Sequence, residues 1–219
     1  RARLKLSLAI VLLVTPTQTS IASVLPLELI QLPPGFSIQT FATDVPNARA
    51  MALGDHDILF VGSRSAGNVY ALIDLDQDMR SDRLYIVAKG LHAPSGVAFY
   101  DDALYVSAVD RILRYDNIES LLEGPPTPIT VTSALPKERH HGWKFIDFGP
   151  DGMLYIPVGA PCNVCLRSDP YAGILRMNPD GSAMEVFARG IRNSVGFAWH
   201  PDTKELWFTD NGRDNLGDN

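Results

Sequence analysis

A short apolar motif recurs four times along this chain, and its spacing constrains the fold more than any other feature of the sequence. Each copy is a leucine, an aromatic residue and a further apolar residue: Leu59-Phe60-Val61, Leu104-Tyr105-Val106, Leu154-Tyr155-Ile156 and Leu206-Trp207-Phe208. Aromatic and β-branched residues of this kind favour strands. Successive copies start about 45 to 52 residues apart, a period typical of folds that repeat one supersecondary unit. We therefore expect four similar β-units.

Further predicted strands surround each motif. An apolar strand precedes each copy across a turn, and these strands are Ala48 to Leu53, Ser95 to Phe99, Trp143 to Phe148 and Ser194 to Trp199. In three repeats a third strand follows, at Asn68 to Ile73, Arg111 to Tyr115 and Gly173 to Met177. The candidates for outermost strands are Leu84 to Val87, Ile129 to Val131 and Met184 to Phe187. Units of this kind describe the four-stranded blade of a β-propeller.

The predicted fold class is therefore all-β, a β-propeller. A β-sandwich also has short strands and turns, but it does not require a similar unit every ~45 residues. Helical character is confined to a turn at Ile118 to Leu122. A propeller closes on itself with about 4–8 blades. We expect residues 35–219 to form a truncated fragment of about three to four blades; a rare small propeller, or closure by another chain, is the alternative.

The first residues have the pattern of an export signal. Arg1, Arg3 and Lys5 precede an apolar stretch from Leu6 to Val14, and small residues follow near Ala22. This order predicts a signal peptide at residues 1–22, an N-terminal extension at residues 23–34, and a periplasmic or secreted protein. A retained membrane anchor is the alternative, but the apolar part is short for a bilayer span. No stable membrane anchor is expected after cleavage.

Composition and charge narrow the function classes. The hydrophobic fraction is 46%, which allows a sizeable core and argues against wholesale disorder. The formal net charge is −6, and no basic run follows residue 5. Binding to nucleic acid requires clustered lysine and arginine, so a nucleic-acid partner is not expected.

The chain has two cysteines, Cys162 and Cys165, separated by two residues. In an exported protein such a pair predicts a local disulfide that pins a loop. A thioredoxin-like redox role lacks its βαβ context. A c-type haem site requires a histidine at the next position, where Leu166 stands.

The densest group of chemically active residues precedes the third unit, in the run Arg139-His140-His141-Gly142-Trp143-Lys144. Imidazole is the best general base at physiological pH, and Trp143 offers a flat face for a ligand. Propellers commonly place function on loops at one end. Blade order puts Arg64 and His92 on the same face as His141. A solvated polar loop, with Arg64 and His92 structural, is the alternative.

Two more groups belong to the fourth unit. Arg192 and Asn193 stand where the loop before its inner strand is expected, and they offer a guanidinium and an amide to an anionic or carbonyl oxygen. Asp and Asn alternate with Gly from Asp210 to Asp218, which suits calcium and its oxygen ligands. A rim salt bridge and a polar turn are the respective alternatives.

These motifs together resemble the soluble quinoprotein glucose/sorbosone dehydrogenase family, which depends on pyrroloquinoline quinone (PQQ). The similar runs, from Leu32 to the end of the chain, are Leu32-Pro33-Pro34-Gly35-Phe36, Gly62-Ser63-Arg64, Gly149-Pro150-Asp151-Gly152, Arg189-Gly190-Ile191-Arg192-Asn193 and Trp207-Phe208-Thr209-Asp210-Asn211-Gly212-Arg213-Asp214. The resemblance implies a six-bladed propeller with PQQ in the central cleft, Ca2+ beneath it, and oxidation of an aldose or related sugar. An electron acceptor of unknown identity is an implied partner.

The resemblance also implies roles for individual residues. His141 falls at the position of the catalytic histidine, with its neighbour His140 as the alternative. Arg192 and Asn193 fall where the family contacts the quinone, and His92, Arg64 and Trp143 fall on the substrate side. The implied calcium ligands are the backbone of Gly212 and Arg213, with carboxylate support from Asp210 or Asp218.

One departure puts substrate choice in question. The family's usual Gly-Gly-Arg after the histidine is replaced here by Gly142-Trp143-Lys144. Quinone-binding lysines and arginines of later blades also lie outside this chain, so the fragment alone is expected to be inactive. Two other functions stay open: a calcium-dependent propeller lactonase or hydrolase, and a non-catalytic propeller that binds carbohydrate or protein.

Overall fold

The computed structural model describes residues 25–215 in two compact units, one up to Gln39 and one from Thr40 onward. The first unit contains a 3-10 turn at Leu27–Leu29. The predicted signal peptide and Asp218 lie outside the described residues. Within residues 25–215, no helix is long and apolar enough to cross a bilayer.

The second unit is all-β, with a 3-10 turn at Ile118–Ser120. The strands, in chain order, are β1 (Ala48–Leu53), β2 (Leu59–Ser63), β3 (Val69–Ile73), β4 (Arg83–Ala88), β5 (Gly96–Tyr100), β6 (Ala103–Ser107), β7 (Ile112–Asp116), β8 (Ile129–Thr132), β9 (Asp147–Phe148), β10 (Leu154–Val158), β11 (Gly173–Met177), β12 (Glu185–Arg189), β13 (Ser194–Trp199) and β14 (Leu206–Asp210). Over the described range they form three antiparallel sheets of four strands and one of two strands, each in chain order. The predicted all-β propeller fold is confirmed.

Apolar clusters join each sheet to the next along the chain. Phe60 of the first sheet packs with Leu104 of the second, and Tyr105 packs with Ile156 of the third. Tyr155 packs with Phe197 of the fourth. Middle strands β6 and β10 are buried along their whole length, because each has a sheet against both faces. This explains why the Leu-aromatic-apolar motif falls on these two strands, whereas Trp207 and Phe208 of the same motif in β14 are exposed.

The first strands of consecutive sheets approach each other closely. The Ala50 N–H of β1 donates to the Ser95 carbonyl, 3.1 Å away, just before β5. A Cβ at Gly96 would overlap the Lys144 carbonyl oxygen of the third unit. Glycine is therefore required at this position for the close backbone approach. The inner edges of the sheets converge here.

One predicted strand is much shorter than expected. The sequence pattern predicts a strand from Trp143 to Phe148, but only Asp147–Phe148 pairs with β10. Continued pairing would place Phe145 opposite Pro157, which has no N–H to donate. The Lys144 carbonyl instead accepts the hydroxyl of Ser107 in the neighbouring sheet, at 2.7 Å. The segment before β9 is therefore hydrogen-bonded to the second sheet rather than to β10 of its own sheet.

Candidate functional site

Loops from all four units meet at one end of the sheets, called here the mouth. They are the loops before the first strands and those after the second strands, and they carry Arg64, His92, Arg139 to Trp143, Ala160 to Cys165, Arg192 to Asn193, and Asn211 to Asn215. Antiparallel order within each sheet dictates that these loops leave at the same end. The structure therefore brings the sequence-predicted groups together.

His141 lies at the mouth with one ring nitrogen fixed. Its backbone has a positive φ of 51°, an uncommon conformation for a residue with a side chain. Its Nδ1 lies 2.7 Å from the carbonyl oxygen of Ala160. Because a carbonyl only accepts, Nδ1 donates its proton, and in the neutral ring Nε2 keeps the lone pair. His141 is thus held in the tautomer that a base at Nε2 requires.

Burial lowers the pKa of His141 below the ordinary 6.5. The positive charges of His140 and Arg192 lower it further, whereas the hydrogen bond to Ala160 and the charge of Asp214 raise it. The ring of His140 lies 4.0 Å from that of His141, centroid to centroid. His140 itself is exposed. At neutral pH the base form of His141 is therefore favoured.

Gly159 is the point where His141 and Asn193 meet. A Cβ built on Gly159 would lie 2.5 Å from His141 Cβ and 2.9 Å from Asn193 Oδ1. Gly159 is buried, and Asn193 is 8% exposed. The absence of a side chain at Gly159 is what allows these two residues from different units to approach.

Replacing Gly159 with alanine tests this arrangement. The added methyl group has no space, so we expect the free energy of unfolding to fall by about 1–3 kcal/mol, as in other overpacked sites. Gly124→Ala is the matched control, because a Cβ there meets nothing within 4 Å. Urea denaturation of both variants measures the difference. Equal stability of the two variants would contradict the crowding described here.

Arg192 uses its guanidinium to join two loops. Its Nε and Nη2 donate to the carbonyl and Oδ1 of Asn163, at 3.1 and 2.8 Å, and Nη1 donates to the Asn211 carbonyl at 2.9 Å. Within the described residues, none of these acceptors is a carboxylate. Among residues 25–215 Arg192 therefore forms no ion pair, and its positive charge is available to an anionic ligand.

The predicted disulfide between Cys162 and Cys165 is present. It encloses Asn163, whose Oδ1 also accepts the Asp214 N–H at 2.9 Å. Sequence reasoning missed Asn163, although its position inside the disulfide loop was the available signal. The disulfide thus supports the loop that orients Arg192.

The acidic segment after β14 has mixed roles. Both carboxylate oxygens of Asp210 accept backbone N–H groups, from Arg192 at 3.0 Å and from Asn193 at 2.7 Å. Gly212 and Arg213 are exposed. In residues 25–215 this segment forms no cluster of three or more ligating side chains. Asp210 therefore fixes the backbone of the Arg192-Asn193 pair, and a cation here would depend largely on backbone oxygens.

The three predicted substrate-side residues line one cavity of about 330 Å³. Arg64, His92 and Trp143 form its walls, together with Arg139. The Arg139 Nε donates to His92 Nε2 at 3.2 Å. Trp143 also lines a second cavity of about 720 Å³ along β1, β13 and β14. Both ends of the Arg139–Trp143 loop therefore line the 330 Å³ cavity. His141, in the middle of this loop, lies close enough to Arg192 for its charge to act on the imidazole.

Lys144 follows this loop and is almost fully buried, with 2% exposure. Its Nζ donates to the carbonyls of Val109 and Gly142, each at 2.6 Å. Burial lowers its pKa from 10.5 to about 8. A buried lysine in a predicted strand was visible in the sequence only as a departure from the family pattern. Its bonds tie the histidine loop to the second unit.

A separate carboxylate cluster lies in the loop between β3 and β4, at the end opposite the mouth. Oxygen atoms of Asp74, Asp76 and Asp78 lie within 4.8 Å of one another. Sequence reasoning missed it, although the alternate spacing of the three aspartates was the signal. Asp74 Oδ2 accepts the Met79 N–H at 2.8 Å. The cluster belongs to this loop and is not part of the mouth.

Fold and site define a propeller-type protein whose mouth holds His141 and an arginine, Arg192, that forms no ion pair with the described residues. Residues 26–218 match the family model described as "Domain of unknown function (DUF7133)". The chain therefore belongs to that family. An uncharacterized protein of Borreliella burgdorferi is 29% identical over 201 residues, covering 87% of this chain and 51% of the relative. The chain thus spans about half the length of that relative.

Solved propeller structures resemble this chain at low sequence identity. The holo PQQ domain of Coprinopsis cinerea pyranose dehydrogenase gives a TM-score of 0.68 at 16% identity, over 78% of this chain and 45% of that one. The PQQ-bound aldose sugar dehydrogenase of Streptomyces coelicolor gives 0.63 at 27%, over 81% and 60%. The calcium-binding protein regucalcin of Agrobacterium tumefaciens gives 0.57 at 14%, over 80% and 57%. These likenesses support the propeller fold.

Proposed function

We propose that this chain is part of an exported, PQQ- and calcium-dependent sugar dehydrogenase that oxidises an aldose or related sugar. The observation that carries the proposal is the tautomer of His141. Its Nδ1 is bound to the Ala160 carbonyl, so its Nε2 is the free base at the mouth. The resemblance to sugar dehydrogenases in sequence and fold supports the choice of reaction. The periplasmic or secreted location rests on the N-terminal sequence pattern.

The residues around His141 fit a quinone that carries carboxylates. Arg192 has no carboxylate partner among the described residues, and a carboxylate or quinone oxygen would compensate its charge. A Cβ at Gly159 would overlap His141 and Asn193, so the glycine keeps the amide of Asn193 close to His141, where both could face a bound cofactor. Arg192 and Asn193 would hold the cofactor.

Calcium would take its ligands from the segment after β14. Calcium prefers carboxylate and carbonyl oxygens, and Gly212 and Arg213 offer exposed carbonyls. Asp214 supplies a carboxylate close enough to raise the pKa of His141. Asp210, which already accepts two backbone N–H groups, would contribute by orienting Arg192 and Asn193.

The chain's own residues would perform the proton chemistry. PQQ, when bound, supplies a two-electron acceptor for the hydride of the sugar, and calcium supplies a Lewis acid. His141 Nε2 takes the proton of the sugar hydroxyl, and the Ala160 carbonyl stabilises the resulting imidazolium through Nδ1–H. Arg192 stabilises negative charge that develops nearby. Trp143 packs against the sugar.

Titration of PQQ and Ca²⁺ into the full-length protein tests the proposal. We expect PQQ to bind in the presence of Ca²⁺, as measured by quinone absorbance, and the loaded protein to reduce an artificial electron acceptor when an aldose is added. Removal of Ca²⁺ with a chelator is expected to abolish turnover.

Two results would contradict the dehydrogenase proposal. Hydrolysis of a sugar lactone that requires Ca²⁺ but not PQQ would identify a lactonase. Binding of sugar or protein with neither activity would identify a non-catalytic propeller. Assays of all three use the same full-length preparation, so they separate the alternatives directly.

A further inference from the structure

Three arginines lie near Trp143: Arg49 and Arg64 over its ring, and Arg139 in a cavity that Trp143 also lines. The Cζ atoms of Arg49 and Arg64 lie 4.2 and 5.5 Å from the centre of the Trp143 ring. Arg139 Nε donates to His92 Nε2, a nitrogen and not a carboxylate oxygen. Across residues 25–215, none of these three guanidinium groups forms an ion pair. Positive charge therefore accumulates on one side of the mouth.

Arginines without an ion pair also occur elsewhere in residues 25–215, for example Arg83 and Arg192, and these three differ in being grouped at Trp143. Four other arginines pair with carboxylates: Arg111 with Asp110, Arg114 with Asp116, Arg176 with Glu185, and Arg189 with Asp169. The whole chain carries 25 acidic and 19 basic residues, so acidic partners are not scarce. Like charges placed together repel unless an anion compensates them. The arrangement points to a ligand rather than to an internal partner.

A cavity of suitable size lies at these arginines. Arg64 and Arg139 both line the 330 Å³ cavity, and Trp143 forms one of its walls. This volume is near the lower end of the range for small-molecule sites, about 300–1,000 Å³. It suits one sugar ring rather than a larger ligand. Guanidinium groups bind carboxylates through two parallel hydrogen bonds, which a neutral sugar cannot offer.

We propose that this cavity binds the carboxylate of a sugar acid, so that the substrate class is a uronic-type sugar rather than a neutral aldose. Arg64 and Arg139 bind the carboxylate, and Trp143 packs against the ring. The assignment as substrate rests on the proposed dehydrogenase function. The cavity lies beside Arg139 and Trp143, whereas the proposed quinone contacts Arg192 and Asn193 on the loop before β13, so the two anion sites are distinct.

Calorimetric titration of the full-length protein without PQQ tests the binding step. D-galacturonate is the probe, and D-galactose is its neutral match. We expect galacturonate to bind at least about tenfold more tightly, because charge-assisted hydrogen bonds are added. The preference is expected to shrink at high salt, since exposed charges are screened.

Single arginine variants test which residues bind the carboxylate of galacturonate. Arg64→Gln and Arg139→Gln are each expected to weaken galacturonate binding by about tenfold and so to reduce its preference over galactose. Arg83→Gln is the matched control, because Arg83 is an exposed arginine on β4 and its loss gives the same change in charge. The control is expected to retain the affinity of the wild type.

Several outcomes would overturn the proposal. They are equal affinity for galacturonate and galactose, tighter binding of galactose 6-phosphate than of galacturonate, and loss of PQQ affinity instead of galacturonate affinity in the two arginine variants. A different result would contradict only the proposed dehydrogenase function. In that case galacturonate binds as expected, but the PQQ-loaded protein does not oxidise it.

Discussion

Substituting His141 by glutamine is expected to lower kcat for sugar oxidation by about 100- to 10,000-fold, the range for loss of a general base. Glutamine retains a polar side chain but has no basic nitrogen. PQQ affinity is expected to stay near the wild-type value, because Arg192 and Asn193 remain. Steady-state kinetics on the PQQ- and Ca²⁺-loaded full-length protein measure kcat, and absorbance titration measures the affinity.

Two other histidine variants make this result specific. His140→Gln decides between the neighbouring candidates, and we expect a smaller loss because the described structure shows no backbone carbonyl fixing its tautomer. His56→Gln is the control, since His56 lies in the turn between β1 and β2 and contacts Glu119. A wild-type kcat in His141→Gln, or a larger loss in His140→Gln, would remove His141 from the proposed role.

The pH profile gives a second readout of the same base. His141 acts when it is neutral, so activity is lost as pH falls through its pKa. Burial lowers that pKa below 6.5, and the acid limb of kcat/KM is therefore expected below pH 6.5 in the unliganded enzyme. An acid limb well above 6.5 would indicate a different group.

The repeated motif was enough to predict most of the fold from the sequence alone. Strand pattern predicted β11 and β13 with their observed bounds, because a short apolar run and its flanking turn residues are local features of the sequence. Blade order also placed Arg64, His92, His141 and Arg192 at one end. That placement required only the antiparallel connectivity of each sheet, not the details of any side chain.

The structural features that the sequence did not predict depend on contacts between segments that are distant along the chain. The partners of Arg192 come from the disulfide loop and from the segment after β14, and sequence spacing does not specify such pairings. The shortened β9 follows from Pro157 on the facing strand. The burial of Lys144 was not predicted, and lysine is rarely fully buried without partners. Its two carbonyl acceptors, Val109 and Gly142, become visible only in three dimensions.

Lys144 is expected to give the protein an unusual pH dependence of stability. The unfolded chain retains the lysine proton up to about pH 10.5, whereas the folded protein releases it above about pH 8. Between these values the unfolded state binds more protons, so the free energy of unfolding rises with pH. The full effect of this one group is about 3 kcal/mol. Below pH 8 both states are protonated, and the contribution no longer changes.

Comparison of the wild type with Lys144→Met isolates this effect, because the tyrosines and other groups that titrate in the same window are common to both proteins. Urea denaturation at a series of pH values from 7.5 to 10 is expected to show the wild type gaining stability relative to Lys144→Met as pH rises, whatever the offset between them at pH 7.5. Lys204→Met, at an exposed lysine in the turn before β14, is expected to run parallel to the wild type. Parallel curves for Lys144→Met would mean that Lys144 stays charged in the folded protein at its ordinary pKa, and that its burial between Val109 and Gly142 does not hold in solution.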